Sequence, residues 1–194
     1  WGYFMKRTFI FLLVVVMVSI GVTSISYANQ AYGDGTYLVG GDVAPGLYKV
    51  ILKDVIMKMG YIERLKGLSK EFDDIIANIV LSGDGYVEIL STDKAVKLQG
   101  VEIHKIELSN YRPEIQTEVG DGIYLVGYDI KPGTYKVTLT DSLMNMGYLE
   151  RISAVSFLFD DIIANEIITG NSYIDIQRSD FAIRVQGVKL TFIE

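Results

Sequence analysis

The chain carries one segment twice, and this duplication constrains the fold more than any single motif does. Residues 33–103 and 120–190 align without a gap at an offset of 87 positions, and more than half of the paired positions are identical. A repeat this regular implies that each copy is one folding unit. We therefore expect one module over residues 29–108, a linker over residues 109–119, and a second module over residues 120–194.

The N-terminal segment has the order of features found in secretory signal peptides. Lys6 and Arg7 precede the unbroken apolar run 9–18, and Ser26-Tyr27-Ala28 offers small residues where a signal peptidase would cleave. This order predicts a signal peptide over residues 1–28, which includes a short upstream extension. An uncleaved membrane anchor is the alternative, because apolar residues continue to position 25.

Composition excludes several classes of function. The chain has 24 acidic and 18 basic residues, a net charge of −6, and no polybasic cluster, so neither nucleic acid nor an anionic membrane is an expected partner. It has no cysteine, which excludes disulfides, thiolate metal sites and a cysteine nucleophile. Its one histidine, His104, has no counterpart in the second copy, so a zinc site or a catalytic triad is not expected.

Apolar residues inside each copy recur mostly at the strand period of two. Tyr48, Val50 and Leu52 alternate with other residues, as do Val87 and Ile89, and the second copy repeats both patterns. One buried and one wet face is typical of antiparallel sheets. The sequence thus predicts an all-β chain, a tandem duplication of a small antiparallel β-sandwich or partly open barrel with six or seven strands per module.

Residues 72–81 and 159–168 fit this pattern less well. Their apolar residues lie at helical spacing in the first copy, but Glu166 replaces Ile79 and interrupts that stripe in the second. β-branched residues dominate both segments, which favours strands and leaves a helix as the alternative.

A combined motif occurs in both copies: Tyr-Leu-Val-Gly-x-Asp-hydrophobic-x-Pro-Gly-x-Tyr-Lys-Val, followed by Gly-Tyr-hydrophobic-Glu and Asp-Ile-Ile-Ala-Asn. It resembles a small β domain that recurs in secreted and surface proteins of Gram-positive bacteria, and it covers residues 37–101 and 124–188. The resemblance implies export and a β fold, and it supplies no catalytic residues. Residues 65–72 and 152–159 are longer loops than the common form has.

The best group of oxygen ligands occurs once in each copy. It consists of Asp73, Asp74 and Asn78 with their counterparts Asp160, Asp161 and Asn165. Calcium binds carboxylate, amide and backbone oxygens, so these residues are candidate calcium ligands and calcium is the one cofactor considered. The alternative is that they hydrogen-bond the backbone of their own loops.

Two pairs of residues are candidate ligand-binding positions: Tyr86 with Glu88, and Tyr173 with Asp175. By strand alternation all four face outward, and a tyrosine beside a carboxylate can stack on a sugar ring and hydrogen-bond its hydroxyls. The alternative is that the tyrosines are ordinary strand residues with their hydroxyls in water.

These observations favour an exported, non-enzymatic binding or structural module at the bacterial cell envelope. A cell-wall glycan or another envelope protein is the candidate partner, and two equal sites could bind a repetitive polymer with avidity. The alternative is a carboxylate-dependent hydrolase of an envelope polysaccharide that uses Asp73, Asp74, Asp160 and Asp161. Glu63 and Arg64 are adjacent on a strand, so their side chains point to opposite faces and need separate partners.

Overall fold

The computed structural model describes residues 30–54, 56–140 and 145–194. The predicted signal peptide lies outside these residues. The described part of the chain consists of sixteen β-strands and two short 3₁₀ helices, with loops between them. Within these ranges, no helix combines the length and the apolar character needed to cross a membrane.

The first module contains eight strands in two antiparallel sheets, with strand orders β1-β8-β3-β6 and β2-β7-β4-β5. Their bounds are β1 (Ala31–Tyr32), β2 (Gly35–Leu38), β3 (Gly46–Leu52), β4 (Gly60–Leu65), β5 (Ile75–Leu81), β6 (Gly85–Ile89), β7 (Ala95–Gln99) and β8 (Val101–Lys105).

The second module repeats this architecture, with sheet orders β9-β16-β11-β14 and β10-β15-β12-β13. Its strands are β9 (Glu118–Val119), β10 (Gly122–Leu125), β11 (Gly133–Leu139), β12 (Gly147–Ile152), β13 (Ile162–Ile168), β14 (Ser172–Ile176), β15 (Ala182–Gln186) and β16 (Val188–Phe192).

The predicted all-β tandem sandwich is confirmed, with eight strands per module in place of the expected six or seven. The extra strands are β1 and β9, whose two residues are too short to show an alternating pattern. Glu118 and Val119, which the sequence placed in the linker, pair with β16 of the second module.

Strand alternation produces the core of each sandwich. Tyr48 and Val50 of β3 and Val87 of β6 are fully buried between the two sheets of the first module. Residues 72–81 and 159–168, which fitted the strand pattern less well, are strands over most of their length. A 3₁₀ helix, Phe72–Asp74, leads directly into β5, and a second, Phe159–Asp161, leads into β13. The helix alternative is therefore wrong beyond this first turn.

The two sandwiches pack on each other through unlike surfaces. The core cluster of the first module extends to Ile123, Leu125, Ile152 and Val155 of the second. We call the surface built from β5, β6 and the turn between them the edge surface of the first module; β13 and β14 form that of the second. The groove surface of the second module consists of β10 with its flanking residues, loop 153–158 and the outer face of β15. Its counterpart in the first is β2, loop 66–71 and β7.

Candidate functional site

The module interface joins the edge surface of the first module to the groove surface of the second. The Glu88 amide donates to the Val155 carbonyl at 2.9 Å, and the Ile123 amide donates to the Asp84 carbonyl at 3.0 Å. Strands β6 and β10 are both at the ends of their sheets, where backbone groups have no neighbouring strand. Each module therefore supplies a hydrogen-bond acceptor to a backbone amide on an end strand of the other module.

Close approach of the two backbones requires glycine on the edge surface. A Cβ atom at Gly83 would lie 2.0 Å from the Asp121 carbonyl oxygen, and one at Gly85 would lie 3.2 Å from the Ile123 Cβ. Gly83 is not among the glycines with positive φ, so space and not backbone conformation demands glycine there. The interface thus depends on a residue with no side chain at the point of closest contact.

Tyr86 is buried at the centre of this interface. Its hydroxyl donates to the Asp129 carboxylate at 2.9 Å and lies 2.6 Å from the Tyr111 hydroxyl of the linker. Burial raises the pKa of the Asp129 carboxyl, and hydrogen bonds from the Leu125 amide and the Tyr86 hydroxyl oppose that rise. The prediction that Tyr86 faces solvent is wrong, because the second module and the linker cover a face that alternation within one module marks as outward.

Arg64 also links the modules from a buried position. Its guanidinium donates to both carboxylate oxygens of Asp93 at 2.8 Å and to the Ser156 carbonyl of the second module. Glu63, on the opposite face of β4, pairs instead with Lys97 at 3.1 Å. The expectation that Glu63 and Arg64 have separate partners is confirmed.

The groove surface of the first module is open and contains a cavity of about 610 Å³. Thr36, Leu68, Lys70 and Lys97 of this surface line it, together with Tyr61 of β4 and Phe72 of the 3₁₀ helix. The equivalent cavity of the second module has only about 230 Å³, and Asn78 and Ile79 of the first module contribute to its walls. The first module therefore fills part of the groove in the second module, whereas the equivalent groove of the first module is open.

Polar groups in the open groove hold one another in fixed positions. The Tyr61 hydroxyl donates to Glu63 at 2.7 Å, and the Lys97 ammonium lies 5.8 Å from the centre of the Tyr61 ring. Partial burial, reinforced by the neighbouring Glu63 carboxylate, raises the pKa of the Tyr61 hydroxyl to about 12. The groove therefore presents a neutral phenol, a paired carboxylate and an ammonium group beside the exposed Phe72 ring.

Apolar residues that are buried at the module interface have exposed equivalents on the two free surfaces. Leu38 on the free groove surface is 40% exposed, whereas its equivalent Leu125 is 1% exposed. Tyr173 on the free edge surface is 67% exposed, whereas Tyr86 is 2% exposed. The free surfaces thus keep part of the apolar character of the buried ones.

Two of the candidate calcium ligands, Asp74 and Asp161, stabilise loops. The Asp74 carboxylate accepts hydrogen bonds from the amide and hydroxyl of Ser69, both at 2.6 Å, and Asp161 accepts equivalent bonds from Ser156. The hydroxyl of Ser69 lowers the pKa of Asp74. Among the described residues, no group of three or more acidic, histidine or cysteine side chains is placed to hold a metal ion.

The four candidate ligand-binding residues do not form matched sites. Glu88 is half-buried at the module interface with Tyr86, whereas Tyr173 and Asp175 lie exposed on the free edge surface. Asp175 accepts a hydrogen bond from the Thr134 hydroxyl at 2.7 Å. Sequence reasoning missed the open groove, although the replacement of Ile123 and Ile79 by Thr36 and Glu166 at equivalent positions marks which surfaces are covered.

Fold and surfaces together define an all-β protein of two sandwich modules, docked so that one groove is filled and one is free. The chain belongs to the family of the Rv1352-like extracellular domain, whose model matches residues 29–102 and 116–189, once in each module. A comparison with curated proteins gave no match. The expected recurrent extracellular domain and the predicted extracellular location are confirmed by the family's description.

Proposed function

We propose that the protein is an exported, non-enzymatic binding module of the bacterial cell envelope, and that it binds through the groove surface of its first module. One observation carries the proposal: the same groove is filled by a polypeptide edge in the second module and is open in the first. The contact at the second module therefore shows, within the same chain, that a groove surface of this kind binds the edge of a β-sandwich.

The chemistry of the open groove suits an extended envelope polymer, either a glycan strand or a polypeptide edge. Leu38, Leu68 and Phe72 are exposed apolar groups on or beside it. The Tyr61 hydroxyl, the Glu63 carboxylate and the Lys97 ammonium supply hydrogen-bonding groups within the same cavity. Apolar contact combined with a few placed polar groups is the usual composition of a binding cleft.

The pKa of one candidate aspartate does not suit it for the role of acid in a hydrolase. A glycosidase needs one carboxylic acid with a raised pKa to protonate the leaving group. The pKa of Asp74, one of the four aspartates considered for that role, is lowered by its hydrogen bond from Ser69. Asp74 is therefore not suited to be that acid, and hydrolysis by the other three aspartates stays a prediction.

Retention on envelope material tests the proposal. Protein purified from culture medium is mixed with isolated wall polymers or envelope proteins, and the bound fraction is measured. Leu68→Asp places a charge on the groove surface and should abolish retention. Ile193→Asp, at a similarly exposed apolar position outside the groove, is the matched control and should leave retention unchanged.

Two results would contradict the proposed function. Equal retention of both variants would remove the groove as the binding surface. Release of new reducing ends from a wall polysaccharide, lost in Asp73→Asn or Asp160→Asn, would establish the enzyme in place of the binding module.

A further inference from the structure

We infer that the open groove of the first module receives the free edge surface of the second module of another copy, so that copies associate head to tail. The inference rests on the proposed use of this groove as a binding surface and names its partner. The contact within the chain joins an edge surface to a groove surface, and it leaves one surface of each kind free. Such a heterologous contact can repeat from copy to copy, whereas a two-fold contact closes on itself.

Polar partners of the internal interface have counterparts on the free surfaces. Asp129, which accepts from Tyr86, is held by the Leu125 amide at 2.8 Å. Asp42 occupies the equivalent position and is held by the Leu38 amide at 2.9 Å. Tyr173, the equivalent of Tyr86, is exposed on the free edge surface and could donate to Asp42 of the next copy.

The buried arginine contact can repeat in the same way. Arg151 is the equivalent of Arg64 and has the same two-point pairing, here with Asp180 at 2.7 and 2.8 Å. The Ser69 carbonyl of another copy is the counterpart of the Ser156 carbonyl that Arg64 contacts. Arg151 is therefore oriented for the same contact with a carbonyl group that Arg64 makes.

Gly170 on the free edge surface supports the same docking geometry. Its equivalent, Gly83, must be glycine because of the nearby Asp121 carbonyl. In the described part of the chain no atom lies within 4 Å of a Cβ built at Gly170, and its φ is not positive. None of the described residues requires glycine there, whereas approach to the Asp34 carbonyl of another copy would require it.

Charged residues replace apolar residues at one place in the proposed interface. Ile79 and Phe157 line one cavity at the internal contact, and their equivalents on the free surfaces are Glu166 and Lys70. A carboxylate on the edge surface would thus face an ammonium group on the groove surface. We expect an association that is weaker than the internal contact and that weakens as salt rises, because exposed ion pairs are screened.

Sedimentation of the exported protein at increasing concentration tests this association. The expected result is a series of oligomers at low ionic strength that dissociates as salt is added. Glu166→Lys should raise the dissociation constant roughly tenfold or more, because like charges would face each other. Adding Lys70→Glu to that variant should restore association, which a general loss of folding could not do.

Engineered cysteines report the register directly, since the chain has none of its own. A Cβ built at Gly85 would lie 3.2 Å from the Ile123 Cβ at the internal contact, slightly less than the ~3.5–4.5 Å found in disulfides. Gly85→Cys with Ile123→Cys should therefore give an intramolecular disulfide in a monomer. Ser172→Cys with Thr36→Cys, the equivalent pair, should give a ladder of covalent oligomers under the same oxidation.

The outcomes separate this inference from the proposed function. A protein that stays monomeric at every concentration, with no covalent ladder from the Ser172→Cys and Thr36→Cys pair, overturns head-to-tail association. If that monomer is still retained on envelope material in a manner that Leu68→Asp abolishes, the proposed function stands. Oligomers that Glu166→Lys does not weaken also overturn the inference, since they use another surface.

Discussion

Gly83→Ala places one methyl group where the two modules approach most closely. The added Cβ would lie 2.0 Å from the Asp121 carbonyl oxygen, far inside contact distance, and the obstacle is backbone that cannot rotate away. The edge surface must therefore move off the groove surface, although the backbone at position 83 tolerates alanine. The variant tests the interface without altering either sandwich core.

The size of the effect follows from two opposing terms. Overpacking a well-packed contact costs about 1–3 kcal/mol. Replacing glycine by alanine removes unfolded-state freedom and stabilises by roughly 0.4–1 kcal/mol. The net loss for Gly83→Ala should be about 1–2 kcal/mol, which is a fall of roughly 2–8 °C in Tm for a chain of this size.

Gly170→Ala is the matched control, because it is the same substitution at the equivalent position of the second module. No described atom lies near the added Cβ, so only the unfolded-state term applies and Tm should rise by roughly 1–4 °C. Thermal melting of both variants in dilute protein at high salt gives the comparison. Equal shifts in the two variants would refute the packing of the modules described above.

Three further predictions follow from the same structure. Asp93→Ala leaves the buried Arg64 guanidinium without its carboxylate and should lower the free energy of unfolding in urea by about 3–5 kcal/mol. Asp180→Ala should cost less, because its partner Arg151 is partly exposed. Equal losses in the two variants would contradict this difference in burial. Tyr86→Phe removes a buried hydrogen-bonding hydroxyl and should lower the free energy of unfolding by about 1–3 kcal/mol. Tyr173→Phe should leave the free energy of unfolding unchanged, because Tyr173 is exposed. A loss of stability in Tyr173→Phe would contradict that exposure. A chelator should leave Tm unchanged, because loop hydrogen bonds already satisfy Asp74 and Asp161, two of the candidate calcium ligands. A fall in Tm that added calcium reverses would establish a metal site.

Local patterns in the sequence were sufficient to predict each module. Alternation of apolar residues placed Tyr48 and Val50 in the core, and the 87-residue offset predicted two similar sandwiches. The same alternation failed at Tyr86, because alternation distinguishes the two faces of one sheet and carries no information about a second module that covers the outer face. The open groove was missed for the same reason.

Differences between the copies contained the information that alternation lacked. Glu166 interrupts the apolar stripe of the second copy because its edge surface is free, whereas Ile79 is covered by the second module. Ile123 and Thr36 show the same contrast on the groove surfaces. In this chain, these two differences between equivalent residues fall at the interface between the copies.

Amide hydrogen exchange reports, residue by residue, whether the edge surface of the first module docks on the groove surface of the second. The Glu88 and Ile123 amides donate across the module interface, and their equivalents at Asp175 and Thr36 lie on free surfaces. In dilute protein at high salt, we predict strong protection at Glu88 and Ile123 and rapid exchange at Asp175 and Thr36. Rapid exchange at all four positions would show that the two modules do not pack as described.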